Sequence, residues 1–251
     1  MSEFKNIENI NNNNADRIKD EIKGENKGRA RSENKNNADK FAIEAAAVKP
    51  LKIFFTGGIS SGKSKYAENT ALSIFKNNLN LNENLNKSLN KRYLENSNIL
   101  HFIATANSLS SDNEMKIKIA EHKAKRPDSF IIHENFDDLK TEIYNTYNSS
   151  SVLSRNNYII LIDSMTVWLS GIFTDLTRYD AALSVLNDLF DFIDKLDCFF
   201  IFVSDNLSFN LVPQDEYVRK FISLNGIMEQ KISALCDFVY LTVAGNILRL
   251  K

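Results

Sequence analysis

The chain has 251 residues, 43% of them hydrophobic, which permits one or two domains and a core of ordinary size. Its 31 basic and 32 acidic side chains leave a net charge of −1, so composition gives no reason to expect nucleic acid or an anionic membrane surface as a partner. No apolar run approaches the roughly 18 residues of a membrane span, and the N-terminus lacks the apolar centre of a secretory signal, so a cytoplasmic protein is expected.

Residues 1–48 read as a disordered tail. They hold ten asparagines among alternating Lys, Arg, Glu and Asp, and bury too little to offset the entropy of ordering. A single domain is expected over 49–251. Its first strand is Leu51–Phe55, followed by a glycine-rich turn and a helix from Gly62 to about Phe75, with Ala67, Ala71, Ile74 and Phe75 on one face. Residues 77–98 are again rich in asparagine and read as a surface insertion or frayed helix extension. Ile99–Ala104 is the second strand, ending in Thr105-Ala106-Asn107. Asp112 caps a helix to about Lys125, Phe130–His133 is a short strand, Phe136–Asn148 is helical, and 149–157 is a loop. Tyr158–Asp163 is a buried strand ending in a carboxylate. A helix starts near Thr166, another spans 180–196, and Cys198–Val203 is an apolar strand. After Pro213 a long helix runs to about Cys236. Phe238–Val243, a turn at Gly245-Asn246 and a terminal strand Ile247–Leu250 close the chain. Cys198 and Cys236 lie in apolar stretches without metal spacing and read as buried thiols.

Apolar strands without alternation, separated by helices, indicate an α/β fold: a mostly parallel sheet with helices on both faces. Ligands in such sheets bind beyond the C-terminal strand ends, where this reading gathers Gly57–Ser64, Thr105, Asp163 and Asp205.

Gly57, four intervening residues (Gly58, Ile59, Ser60, Ser61), Gly62, Lys63 and Ser64 fit the phosphate-binding loop pattern between a strand and a helix. Glycines let the backbone approach phosphate oxygens, and successive N–H groups at a helix N-terminus attract an anion. Lys63 can reach the outer phosphates, and the Ser64 hydroxyl can ligate Mg²⁺. The fold is therefore P-loop NTPase-like. In such enzymes a strand-end acid like Asp163 helps to hold Mg²⁺; a surface aspartate, or a cap for the next helix through Ser164 or Thr166, is the bland alternative. His122 precedes Lys123, Lys125 and Arg126. It reads either as an ordinary exposed histidine or as a phosphate-handling one, since a neutral imidazole can attack an α-phosphorus.

From about Lys52 to Lys251 the chain resembles the bifunctional adenosylcobinamide kinase/adenosylcobinamide-phosphate guanylyltransferase family of cobalamin synthesis. The matching residues are Thr56-Gly57-Gly58, Ser60 to Lys65 with Ala67-Glu68, Phe102 to Ala106, Glu114-Met115, His122-Lys123 and Arg126-Pro127. Further matches are Glu134, Asp163 with Thr166, Trp168 and Leu169, Val203-Ser204, Val212-Pro213, Val243-Ala244-Gly245 and Leu250-Lys251. The resemblance implies a P-loop kinase fold and a guanylylated histidine at His122. It also implies guanine-nucleotide contacts from Ala104, Thr105, Ala106, Lys123, Ala124, Lys125, Arg126, Glu134 and Asp163. ATP or GTP and Mg²⁺, a corrinoid substrate and a homo-oligomer belong to the same implication. A kinase of another small alcohol and a degenerate nucleotide-binding regulator are the alternatives.

Three stretches depart from the family pattern. Asp205-Asn206-Leu207-Ser208-Phe209-Asn210 stands where Asn-Glu-Val-Gly-x-Gly is usual. Ile222-Ser223 replaces Arg-Asp, and Glu229-Gln230 replaces Asn-Gln.

Overall fold

A computed structural model describes residues 50–85, 99–106, 127–148, 158–209 and 212–251; for 77–85 and 99 it describes the backbone alone. The tail at 1–48, the helix expected at 112–125 with His122, and the loop at 149–157 lie outside the described residues.

Among the described residues seven strands form one sheet. They are β1 (Lys52–Gly57), β2 (Ile99–Ala104), β3 (Ile131–His133), β4 (Tyr158–Asp163), β5 (Phe199–Asp205), β6 (Phe238–Val243) and β7 (Asn246–Arg249). Their order is β3-β2-β4-β5-β1-β6-β7, parallel throughout except for β7, which pairs antiparallel with β6. The helices are α1 (Lys63–Leu85), α2 (Leu139–Asn148), α3 (Met165–Ile172), α4 (Tyr179–Asp194) and α5 (Glu216–Leu235).

Helices cover both faces of the sheet, which is why its central strands are apolar without alternation. Phe54, Ile160, Ile162, Phe200 and Phe202 join the core that includes Trp168 and Leu169 of α3, Leu186 and Leu189 of α4, and Met228 and Ile232 of α5. Side-chain alternation turns Ile53, Phe55, Leu161 and Ile201 to the opposite face, against α1 with its buried Ala67, Ala71 and Ile74. Small α1 residues let that helix lie close to the strands. Each large side chain buried in this way contributes roughly 1.5–3 kcal/mol. Among the described residues no helix is long and apolar enough to cross a membrane.

Three boundaries differ from the sequence reading. Helix α1 continues ten residues past Phe75, to Leu85. Asparagine is a weak helix former, but Lys76–Leu85 holds neither Gly nor Pro to stop the helix. Strand β5 runs to Asp205 rather than Val203, because Ser204 is buried under α3 and α5, where its hydroxyl is hydrogen-bonded. The terminal hairpin turns at Ala244-Gly245, both at positive φ (50° and 75°), the geometry of a tight two-residue turn. Helix α5 is capped at both ends. Asp215 accepts from Val218 N at 2.9 Å, and the Lys251 ammonium donates to the Cys236 and Ser233 carbonyls at 2.6 and 3.0 Å, where a cation suits the helix dipole.

Candidate functional site

The glycine loop leaves β1 between β5 and β6. At Gly57 a Cβ would lie 2.3 Å from Thr242 Oγ1 and 2.4 Å from the Thr242 carbonyl, so β6 leaves no room for any side chain. Thr242 donates to the Thr56 carbonyl (3.2 Å), so the Ser61 hydroxyl, 2.7 Å away, donates to Thr242. Gly245 N donates to the Ser61 carbonyl (3.2 Å), and the Tyr66 hydroxyl to the Gly245 carbonyl (2.9 Å). The β6–β7 hairpin thus braces both the loop and the first turn of α1. Ser60 (φ 58°) and Gly62 (φ +99°) take left-handed conformations that turn the loop into the helix. Gly58, Ile59 and Ser60 are exposed; Lys63 is buried.

The Lys63 ammonium donates to the Gly58 carbonyl at 3.2 Å and pairs with the Asp205 carboxylate. Asp205 stands opposite Gly57 in the β1–β5 register. Its N–H donates to Thr166 Oγ1 (2.8 Å), its carbonyl accepts from Asn225 Nδ2 (3.0 Å), and Asn206 N donates to the Gly57 carbonyl (2.9 Å). Beneath this group Glu229 reaches up from α5. Its carboxylate accepts from the Thr56 hydroxyl and, at 3.3 Å, from Asn206 Nδ2. Burial raises the Glu229 pKa above the usual carboxylate value and the nearby Asp205 charge adds to that, opposed by the hydrogen bonds from Thr56 and Ser204 and by Lys63.

Asp163 ends β4, one strand further from the loop. Ala104 pairs with it in register; Thr105 N donates to the Asp163 carbonyl (3.1 Å). The Thr105 hydroxyl donates to the Ser164 carbonyl (2.6 Å) and accepts from Ser164 N (2.9 Å), locking the β2 and β4 ends together. Ser164 caps α3 by accepting from Val167 N at 3.3 Å.

The structure therefore brings Gly57–Ser64 together with Asp205, and sets Asp163, Ala104, Thr105 and Ala106 along the same C-terminal edge. Glu134 follows the edge strand β3. Three strands separate β3 from β1, which at strand spacing puts it about 19 Å along the sheet from the loop. His122, Lys123, Ala124, Lys125 and Arg126 lie outside the described residues. The sequence reading placed Asp205 at the sheet edge without a role, and assigned none to Thr242 or Tyr66. It took Asn206 and Glu229 only as departures; in the structure the two touch.

A glycine loop cradled at the middle of a parallel sheet, with carboxylates closing the two neighbouring strands on one side, defines a P-loop nucleotide-binding α/β protein. Residues 86–250 match the family described as cobinamide kinase / cobinamide phosphate guanyltransferase. Among curated proteins the chain is 28% identical over 203 residues to the bifunctional adenosylcobalamin biosynthesis protein CobP of Pseudomonas aeruginosa, covering 80% of this chain and 98% of that one. It is 22% identical over 213 residues to the bifunctional adenosylcobalamin biosynthesis protein CobU of Escherichia coli, covering 80% of this chain and all of that one. Among solved structures it is similar to a KaiC-like protein of Pyrococcus horikoshii, with a TM-score of 0.40 and 15% identity over 77% of this chain and 71% of that one. The chain belongs to the cobinamide kinase / cobinamide phosphate guanyltransferase family.

Proposed function

We propose that this chain performs both reactions of its family on one corrinoid. First, a nucleoside triphosphate phosphorylates the aminopropanol hydroxyl of adenosylcobinamide. Then GMP passes from GTP to adenosylcobinamide phosphate through a guanylylated His122, giving adenosylcobinamide-GDP. The observation that carries the reading is the braced loop, with the buried Lys63 at the C-terminal edge of the sheet beside Asp205.

The loop N–H groups and the α1 N-terminus bind and orient the phosphates, and Lys63 neutralises charge on the transferring group. Two half-reactions at His122 replace one hard displacement by two easier ones, with Lys123, Lys125 and Arg126 holding the triphosphate and favouring departure of pyrophosphate. Ala104, Thr105, Ala106, Ala124 and Glu134 are proposed as contacts to the guanine nucleotide. Among the described residues no three His, Cys, Asp or Glu side chains form a metal cage. A nucleotide-bound Mg²⁺ needs only one or two protein ligands beside phosphate and water, and Ser64 and Asp163 are of the right type. Bound there, Mg²⁺ would shield charge on the phosphates. A homo-oligomer completes the proposal.

The test uses labelled GTP. Label in the α-phosphate should pass to the protein, label in the γ-phosphate should not, and His122→Ala should accept none. Labelling of His122→Ala would remove the covalent step from this residue. Failure of the parent to take label would leave a kinase of another small alcohol or a degenerate nucleotide-binding regulator.

A further inference from the structure

We propose that His133 is a positioning residue for nucleotide recognition: clasped between His101 and Glu142, its ring fixes the neighbouring Glu134 and so sets the affinity for the guanine nucleotide. The inference rests on the contact proposed above between Glu134 and that nucleotide.

Glu134 begins the connection from β3 to α2, residues 134–138. The two ends of that connection are held unequally. On the helix side Leu139 and Ile143 are fully buried, and Asp138 caps the first turn by accepting from Thr141 N at 2.7 Å. On the strand side β3 is three residues long, stands outermost in the sheet and pairs with β2 alone among the described residues. Asn135 follows at φ 58°, where the chain turns away, so no ladder carries the strand past Glu134. A strand end this short needs something besides its backbone to tie it down.

His133 supplies the tie. Its Nδ1 lies 2.5 Å from Glu142 Oε1, which closes the connection across its base, from the last residue of the strand to the first turn of the helix. Its Nε2 lies 2.8 Å from His101 Nδ1 on β2. Burial keeps His101 neutral, and that ring is stacked on Tyr158 of β4 with centroids 5.6 Å apart. His101 Nε2 has no hydrogen-bond partner among the described residues, so His133 is the polar anchor of His101 as well. With both ring nitrogens engaged, His133 cannot turn without breaking two bonds, and its backbone sets the direction in which Glu134 leaves the strand.

An ionised carboxylate offers only acceptors, and the base N–H groups and ribose hydroxyls of a guanine nucleotide offer donors. An acceptor already held in place loses little further freedom when such a ligand binds. Glu134 stands about 19 Å along the sheet from the loop that takes the phosphates, so it serves the nucleoside end of the ligand. The two ends of the ligand can therefore be weighed separately.

The experiment compares the full-length parent with His133→Val, His133→Gln, Glu134→Gln and the double variant His133→Val/Glu134→Gln. Valine keeps the preference for a strand and removes both bonds. The glutamine carboxamide keeps a donor and an acceptor, as a neutral imidazole does. Titration calorimetry with Mg²⁺ gives two dissociation constants. One is for inorganic triphosphate. The other is for a GTP analogue with a methylene bridge between the α- and β-phosphorus, from which GMP cannot be transferred. For His133→Val we expect the analogue to bind at least about fivefold more weakly while inorganic triphosphate stays within about twofold of the parent. His133→Gln should recover at least half of the lost binding free energy. Glu134→Gln should itself weaken the analogue at least about fivefold. The double variant should bind it within about twofold of Glu134→Gln, because His133 acts through Glu134. A smaller loss in His133→Val overturns the inference. So does an equal loss for both probes, which is what general loosening or misfolding would give, and so do additive losses in the double variant or a lack of recovery in His133→Gln. An indifferent Glu134→Gln refutes the Glu134 contact and this inference with it, while the labelling of His122 keeps its own test. A parent that does not bind the analogue refutes the proposed function and this inference together; a parent that binds it, with an indifferent His133→Val, refutes the inference alone.

Discussion

Asn206 and Glu229 face each other, the carboxamide nitrogen donating to the carboxylate at 3.3 Å between the end of β5 and the buried face of α5. Both are departures from the pattern this chain otherwise resembles, in which the strand end bears Glu and the helix Asn. The pair is present with its members exchanged, so the amide-to-carboxylate bond survives while the charge changes side. Asn206→Glu alone should put two carboxylates against each other beside Asp205 and cost about 1–3 kcal/mol. Asn206→Glu with Glu229→Asn should recover to within about 1 kcal/mol of the parent. Urea titration of the four proteins gives the coupling energy directly. An additive cycle would show that the contact does not join the two positions.

Gly57 is required by its neighbour rather than by flexibility. A methyl group there would strike both the hydroxyl and the carbonyl oxygen of Thr242. The carbonyl belongs to the β-sheet backbone and cannot step aside without moving β6. Gly57→Ala should destabilise by about 1–3 kcal/mol, the usual cost of overpacking. It should also weaken nucleotide binding, because Thr242 braces Ser61. Calorimetric melting and analogue titration check both. By contrast Gly58, where nothing lies within 4 Å of a built Cβ, should accept Ala with less than about 1 kcal/mol lost.

Lys63→Ala removes the buried ammonium from both Asp205 and any bound phosphate. Affinity for a triphosphate analogue should fall at least about tenfold, equivalent to about 1.4 kcal/mol. Phosphorylation and GMP transfer should both fall with it. Circular dichroism establishes that the variant is folded. Unaltered kinetics in a folded variant would show that the glycine loop is not where the nucleotide lies.

The sheet was legible because its strands are buried on both faces, so Ile159–Ile162 and Phe199–Val203 appear as unbroken apolar runs. The loop was legible because its residue types are contiguous. Glu229 was not, since its partner Thr56 is 173 residues away and no local spacing links them. A signal did exist: Asn225 and Glu229 share the buried face of α5 with Met228 and Ile232, and polar residues at core positions of an amphipathic helix call for partners. Likewise the apolar strand read as ending at Val203, before Ser204 and Asp205, although the ladder continues through them to reach the loop. The guanylylated histidine is a reading of resemblance, since His122 lies outside the described residues.

The two remaining histidines form a chain of hydrogen bonds that should make stability depend on pH. His101 Nδ1 lies 2.8 Å from His133 Nε2, and His133 Nδ1 lies 2.5 Å from Glu142 Oε1. The His101 ring also packs against Tyr158, with centroids 5.6 Å apart. Burial, with the nearby His133 charge adding to it, lowers the His101 pKa from 6.5 to about 4. Between those two values the unfolded chain binds a proton that the folded protein refuses. Folding is therefore favoured above pH 6.5 and loses stability as the pH falls toward 4, at a rate approaching roughly 1.4 kcal/mol per pH unit from this group. His101→Leu keeps the apolar packing and removes the titration. Carboxylates outside this chain of hydrogen bonds titrate equally in both proteins, so the difference between their urea midpoints reports His101 together with its bond to His133. The parent should lose stability more steeply than His101→Leu between pH 6.5 and 4.5, and the two should run parallel above pH 7. Parallel curves across the whole range would show that burial of this imidazole costs nothing on protonation.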